Sequence, residues 1–125
     1  MTATKDALPQ PQVRAAEECL VQARQSRVTF RDYGNVVRQL PSLLQRHGLG
    51  LTLAYLQMRG GGNQNSPYEL VSGQLDRWLV QALGLSARAA LPVLCTRDSR
   101  FYLEASSQAL LFARALCTRV AEEQP

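Results

Sequence analysis

The stretch YGNVVRQLPSLLQRH, residues 33–47, indicates the fold class more clearly than any other part of the chain. Its core-facing side chains recur at steps of three, one, three, three, one and three residues, which is the spacing of one helix face. They are Tyr33, Val36, Val37, Leu40, Leu43, Leu44 and His47. Gly48 follows as a residue that ends helices. Because Pro41 lacks an N–H and crowds the carbonyl of Val37, we expect the helix to kink or restart there.

The same spacing predicts helices on both sides of this stretch. The first predicted helix runs from Gln12 to a connection at 26–29, and another covers 49–59. Two more run from Pro67 to Gly84 and over Ser86–Cys95, the second of them with an interruption at Pro92. The last helix begins at a cap at Asp98 or Ser99. We therefore predict an all-α fold: residues 1–125 as one compact helical domain, a bundle of five to six helices. Residues 1–8 are expected to fray, and 60–66 to form a flexible loop.

Composition supports this fold class. The 125 residues include 20 Leu, 15 Ala and 12 Gln, against 9 Val and no Ile. Leucine, alanine and glutamine lose little rotamer freedom in helices, whereas strands favour β-branched residues. A β-sandwich or a parallel-sheet enzyme is therefore excluded.

The inventory of catalytic and metal-binding groups is thin. His47 is the single histidine, and its place on the apolar stripe predicts a partly buried residue at a helix end. No clustered Cys/His ligand set is present, and Gly60-Gly61-Gly62 lacks the Lys-Ser/Thr of a phosphate-binding loop. We therefore predict no enzymatic activity, no catalytic residues, no metal and no cofactor.

Cysteine usage and hydropathy favour an intracellular protein. Cys19, Cys95 and Cys117 form no CxxC pair and are odd in number, so we expect reduced thiols that serve as small core residues. No run approaches the roughly 18 apolar residues that a membrane span needs. The expected location is the cytoplasm, with no membrane contact.

The arginines suggest a binding surface. Of the 14 basic residues, all but Lys5 are arginine, and the net charge is +4. On a continuous helix, the arginines from 24 to 46 fall close to one side, opposite the apolar stripe, and only Asp32 interrupts them. Such a line can follow a nucleic-acid backbone without reading bases. The candidate RNA-backbone contacts are Arg24, Arg27, Arg31, Arg38, Arg46 and Arg59.

Two other functions remain open from the residues alone. In the first, the chain is a helical protein-binding adaptor whose arginines meet an acidic partner. In the second, the helices on either side of Gly48 form a DNA-binding helix-turn-helix. The second is disfavoured because Leu44 stands where a small residue usually lets the helices cross, and because Leu49, Gly50 and Leu51 are poor base readers.

The chain also resembles a known family. The resemblance rests on Tyr33, Leu40-Pro41, Gly48-Leu49 and Leu53-Ala54-Tyr55-Leu56 ending in Arg59, and more weakly on Tyr102, Ala109-Leu110 and Arg119-Val120-Ala121. These residues resemble the hallmark stretches of the small subunit of type III-B CRISPR effector complexes.

This resemblance implies a non-catalytic protein of antiviral defence. Such subunits stack in a few copies as a minor filament inside the effector. They run beside the guide RNA and its target, and they touch the major backbone subunits and the large subunit. The motif residues are mainly core and turn residues, so they do not indicate which arginines touch RNA.

Overall fold

The computed structural model describes residues 10–85 and 98–123. Within them the chain forms helices α1 (Pro11–Gln25), α2 (Phe30–Gly60), α3 (Pro67–Ala82) and α4 (Ser99–Glu123). The described residues contain no strand, so the prediction of an all-α fold is confirmed.

The number of helices differs slightly from the predicted five to six. The predicted helices over 33–47 and 49–59 both lie within α2, which leaves four helices in the described ranges. The short helix predicted over 86–95, the fraying predicted for 1–8 and Cys95 lie outside the described residues.

Side-chain caps define three of the helix starts. The Thr29 hydroxyl accepts the N–H of Asp32 at the start of α2, and the Ser66 hydroxyl accepts the N–H of Tyr68 at the start of α3. The Asp98 carboxylate accepts the N–H of Phe101 at 2.9 Å, as predicted for the last helix. Each cap satisfies a donor that the first helical turn leaves without a partner.

Gly48 divides α2 into two halves. Its φ of 80° and ψ of 169° are the only non-helical angles inside the helix. This region is open essentially to glycine alone. The Tyr102 hydroxyl of α4 accepts the N–H of Gly50 at 2.9 Å, and a Cβ at Gly48 would lie 3.3 Å from that hydroxyl. The glycine therefore sets the direction of the second half and lets it pack against α4.

We expected α2 to kink or restart at Pro41, and it does not restart there, since the only non-helical angles inside the helix are those of Gly48. Proline removes the hydrogen bond that the Val37 carbonyl would otherwise accept from residue 41. The Cys117 thiol of α4 donates to this carbonyl instead, with Sγ 3.1 Å from the oxygen. Burial raises the pKa of the Cys117 thiol, so the thiol keeps the hydrogen that it donates. A neighbouring helix thus satisfies the carbonyl that Pro41 leaves open.

The core lies where α2 packs against α3 and α4, and α1 packs mainly against α4. The buried residues of α2 include Tyr33, Leu40 and Leu53, which pack with Leu75 of α3 and Phe112 of α4. The Trp78 ring stacks on Phe112 with centroids 5.6 Å apart, and its indole N–H donates to the Gln108 carbonyl at 3.0 Å. These contacts confirm the core side of the apolar stripe.

Two positions on that stripe are wrongly predicted. Leu43 is only half-buried, and His47 is exposed rather than partly buried. Leu44 occupies the core on this turn, and after the break at Gly48 the core position passes to Leu49. Leu43 and His47 are therefore left at the edge of the bundle.

A buried polar network joins α1, α2 and α3. The Tyr33 hydroxyl donates to Gln74 Oε1 at 2.7 Å, and Gln74 Nε2 donates to the Cys19 carbonyl at 3.1 Å and to Gln22 Oε1 at 3.0 Å. Burial raises the pKa of the Cys19 thiol to about 12, so the thiol is protonated at neutral pH. Cys19 is the small core residue that the sequence predicts.

Replacing Gly48 with alanine should destabilise the protein. A side chain at this φ is strained, which costs about 1–3 kcal/mol. The matched control is Gly73→Ala in α3, where a Cβ would meet nothing within 4 Å. Gly73→Ala should stabilise by about 0.5–1 kcal/mol, because alanine favours the helix. Urea unfolding of both variants measures the difference, and equal shifts would contradict this role of Gly48.

The contact between Cys117 and Val37 predicts a coupling with Pro41. Cys117→Val should lower the free energy of unfolding by about 1–3 kcal/mol, because it leaves a buried carbonyl without a donor. Cys117→Ser keeps a donor and should retain most of the stability. In a Pro41→Ala background the restored N–H binds the carbonyl, so the cost of Cys117→Val should fall. Equal costs in the two backgrounds, measured by urea unfolding, would rule out the coupling.

Candidate nucleic-acid interface

Three of the candidate arginines form a row along the first half of α2. Arg31, Arg38 and Arg46 lie within about 80° of one another around the helix and span about 22 Å along it. All three are exposed, on the side away from the buried Val37 and Leu40. Guanidinium groups bind phosphate oxygens through paired N–H donors, so this row suits a polyanion.

The row has few acidic neighbours in sequence. Asp32, at the start of α2, is the last acidic residue before Glu69, so residues 33–68 carry no carboxylate side chain. Within the described ranges, Arg31 and Arg46 form no ion pair, and Arg38 donates to Asn35 Oδ1 at 3.2 Å. The positive charge of this helix is therefore concentrated rather than balanced along it.

Arg24 occupies a different setting. It lies on α1, before the connection at 26–29, so it does not continue the row of α2 as a single helix would. It forms an ion pair with Glu123 of α4, and its guanidinium carbon lies 4.6 Å from the centroid of the Phe30 ring. The same end of α4 carries Arg119, which bonds to Glu17 and Glu122. Arg24 thus belongs to an ion-paired contact between α1 and α4.

Arg27 lies beside the glycine-rich loop, and the sequence did not reveal this proximity. With Gln25, Ser26, Gln64 and Asn65 it lines an open polar concavity of about 460 Å³. The amide side chains there are donors and acceptors of the kind that bind nucleic acid. Tertiary packing alone brings these two connections together.

Arg59 packs against two tyrosine rings. Its guanidinium carbon is 4.8 Å from the Tyr68 ring centroid and 6.0 Å from that of Tyr55. The Nη2 group of Arg59 donates to the Tyr68 hydroxyl at 3.2 Å. The two tyrosines meet edge to face with centroids 6.3 Å apart. The four-residue step from Tyr55 to Arg59 was readable in the sequence, but the contact with Tyr68 of α3 was not. These tyrosines are the site residues that sequence reasoning missed.

Of the three residues that open the second half of α2, Leu49 and Gly50 lie against the rest of the bundle and Leu51 is exposed. Leu49 is fully buried, and the N–H of Gly50 is held by Tyr102. A recognition helix reads bases with the side chains of its first turns. This placement gives the helix-turn-helix alternative no reading surface at Leu49 or Gly50.

Two further properties describe the molecule. No three histidine, cysteine or acidic side chains in 10–85 and 98–123 lie close enough to share a metal ion. Over the same residues, none of the helices combines the length and the apolar character needed to cross a bilayer.

Comparison with known proteins identifies the family. The model of the CRISPR-associated protein family (Cas_Cmr5) matches residues 8–123, which is nearly the whole chain. No curated protein and no solved structure matches it. The match covers α1 to α4, including Tyr33, the Gly48 break and the tyrosine-supported Arg59. The chain therefore belongs to the Cas_Cmr5 family and is a CRISPR-associated small subunit.

Proposed function

We propose that this protein is the non-catalytic small subunit of a type III-B effector complex. In this proposal, copies stack as a minor filament and support the guide RNA and its target through backbone contacts. The other partners are the major backbone subunits and the large subunit. The observation that carries the RNA contact is the exposed row of Arg31, Arg38 and Arg46, on a helix with no carboxylate from 33 to 60.

Phosphate contacts of this kind hold a strand without selecting its sequence. Each arginine of the row supplies several N–H donors and a charge that is permanent at physiological pH. Arg59, fixed over Tyr68, adds a planar group beside an aromatic ring, and such groups stack on unpaired bases whatever their identity. Arg27 and the amides of its concavity add polar groups beside the glycine-rich loop that follows Arg59.

The ionisable groups with shifted pKa values favour a non-catalytic role. Burial raises the pKa of Cys19, Tyr33 and Cys117, so these groups hold their protons at neutral pH. An activated nucleophile requires the opposite shift. His47 lines an apolar depression with Leu43, Leu51, Thr52 and Tyr55, which is not the setting of a general base oriented by a carboxylate.

Replacing two arginines of the row should weaken RNA binding. In the assembled complex, Arg31→Ala with Arg38→Ala should lower the affinity for two unrelated RNAs by the same factor. The slope of log affinity against log salt should flatten by about 0.7 for each phosphate of single-stranded RNA that the variant no longer neutralises. The matched control is Arg14→Ala with Arg77→Ala, which removes the same charge from exposed positions on α1 and α3.

The result of this binding experiment distinguishes RNA-backbone binding from the adaptor function. An equal reduction of affinity in both double variants would mean that net charge, rather than the row, attracts RNA. Unchanged affinity and slope, with a partner protein retained after nuclease treatment, would favour the adaptor function. A preference between the two RNAs that the variants abolish would contradict contacts made only with the backbone.

A further inference from the structure

A mostly apolar depression lies on α2 beside the arginine row. It has a volume of about 350 Å³ and is lined from both halves of the helix, by Leu43, His47, Leu51, Thr52 and Tyr55. Leu51 is 65% exposed, so the apolar lining is open to solvent. Pockets for small molecules begin at about 300 Å³ and combine apolar and aromatic side chains with few polar groups. We call this feature the α2 depression, and its size and lining suit a single planar ring system.

Two aromatic side chains line the α2 depression, and one of them is held in place. His47 is exposed, and Tyr55 is half-buried. The Tyr55 ring meets Tyr68 edge to face with centroids 6.3 Å apart, and the Arg59 guanidinium carbon lies 6.0 Å from the Tyr55 centroid. A ring that is ordered before binding loses little freedom when a ligand stacks on it. Unpaired RNA bases stack on tyrosine and histidine rings and on guanidinium planes, so this lining fits a base.

The border of the α2 depression is basic in both halves of the helix. Arg46 lies one turn after Leu43, and Arg59 lies one turn after Tyr55. Arginine binds phosphate oxygens through paired N–H donors. A ligand that matches the depression therefore carries negative charge next to a planar ring, and each nucleotide of a single strand has both.

Carboxylates do not neutralise this border. Residues 33–68 contain none, and the next one in sequence belongs to Glu69 of α3. A Cβ at Gly60 would lie 3.0 Å from the Glu69 backbone, so α3 packs closely there, and the Glu69 Oε2 atom is buried. Within the described ranges, Arg59 forms no ion pair with it. The positive charge of the border remains available to a phosphate.

We infer that the α2 depression receives one unpaired base of a single-stranded RNA, stacked on Tyr55 and His47, while the phosphates on either side of that base meet Arg46 and Arg59. Arg46 is also the last arginine of the row, so a strand bound along the row leads to the depression. Stacking does not depend on which base is present, so the site accepts all four. This inference rests on the proposed function and adds a base contact to its backbone contacts.

Binding of the full chain to two matched strands tests the base contact. Wild-type protein should bind a single-stranded RNA of mixed sequence more tightly than an abasic phosphoribose chain of the same length. Tyr55→Ala should lower the affinity for the RNA at least about fivefold, because the stacked ring is lost, and should barely change the affinity for the abasic chain. Tyr55→Phe keeps the ring and should restore the affinity for RNA. His47→Ala, at an exposed position outside the core, should shift RNA affinity in the same direction as Tyr55→Ala.

Photocrosslinking in the assembled complex locates the base. RNA that contains thiouridine couples under near-ultraviolet light to side chains in contact with the modified base. Because trypsin cleaves after arginine, Arg46 and Arg59 bound the peptide 47–59, which contains both stacking residues. This peptide should carry the crosslink. The arginines of the row end the preceding peptides 28–31, 32–38 and 39–46, which serve as the internal control.

Three results would overturn the inference: RNA bound no more tightly than the abasic chain, an equal loss for both strands in Tyr55→Ala, or no crosslink on peptide 47–59. A protein partner crosslinked to 47–59 in place of RNA would assign the depression to a protein instead.

The arginine row is tested separately by the same two strands. Arg31→Ala with Arg38→Ala should weaken the binding of the RNA and of the abasic chain alike, because both carry phosphates. If this double variant has no effect while Tyr55→Ala still weakens RNA binding, the backbone contacts of the row fail and the base site stands. If only the double variant has an effect, the base site fails and the row stands.

Discussion

The positive φ of Gly48 is the constraint on which the rest of the structure depends. It lets one continuous run of chain present two differently oriented halves to the same core. The first half places Tyr33 and Leu40 inward and its arginines outward, and the second places Leu49 and Leu53 inward. Tyr102 holds the junction through the N–H of Gly50, so α4 packs at the position where α2 changes direction. A side chain at residue 48 would strain the backbone and crowd that hydroxyl.

The interior is held by specific polar contacts as well as by leucine packing. The Cys117 thiol satisfies the Val37 carbonyl that Pro41 leaves without a partner, which allows proline within a buried helix. Gln74 is fully buried, and it joins the Tyr33 hydroxyl to the backbone of α1. Buried polar groups without partners are costly, so these contacts restrict how the helices can be arranged.

Charge is divided between two regions of the surface. The described ion pairs gather where α1 meets the end of α4, through Arg24, Arg119 and their glutamates. Arg38, Arg46 and Arg59 of α2 are at least six residues from any carboxylate in sequence, whereas Arg31 is followed by Asp32. Leu51 and Met58 are exposed on the outer side of its second half. In the proposed function, the arginine row faces RNA.

The sequence by itself determined the fold class, most of the core side of the first half of α2, the cap at Asp98 and the exposed arginines of α2. These follow from local spacing and residue preference, which need no knowledge of the neighbours. Only the tertiary structure decided that Pro41 leaves α2 intact, that His47 is exposed, that Arg24 pairs with Glu123 and that Arg59 rests on Tyr68. Each of these depends on a partner distant in sequence or on a change of helix direction. Periodicity reports which side of a helix is apolar, but not which group from another helix lies against it.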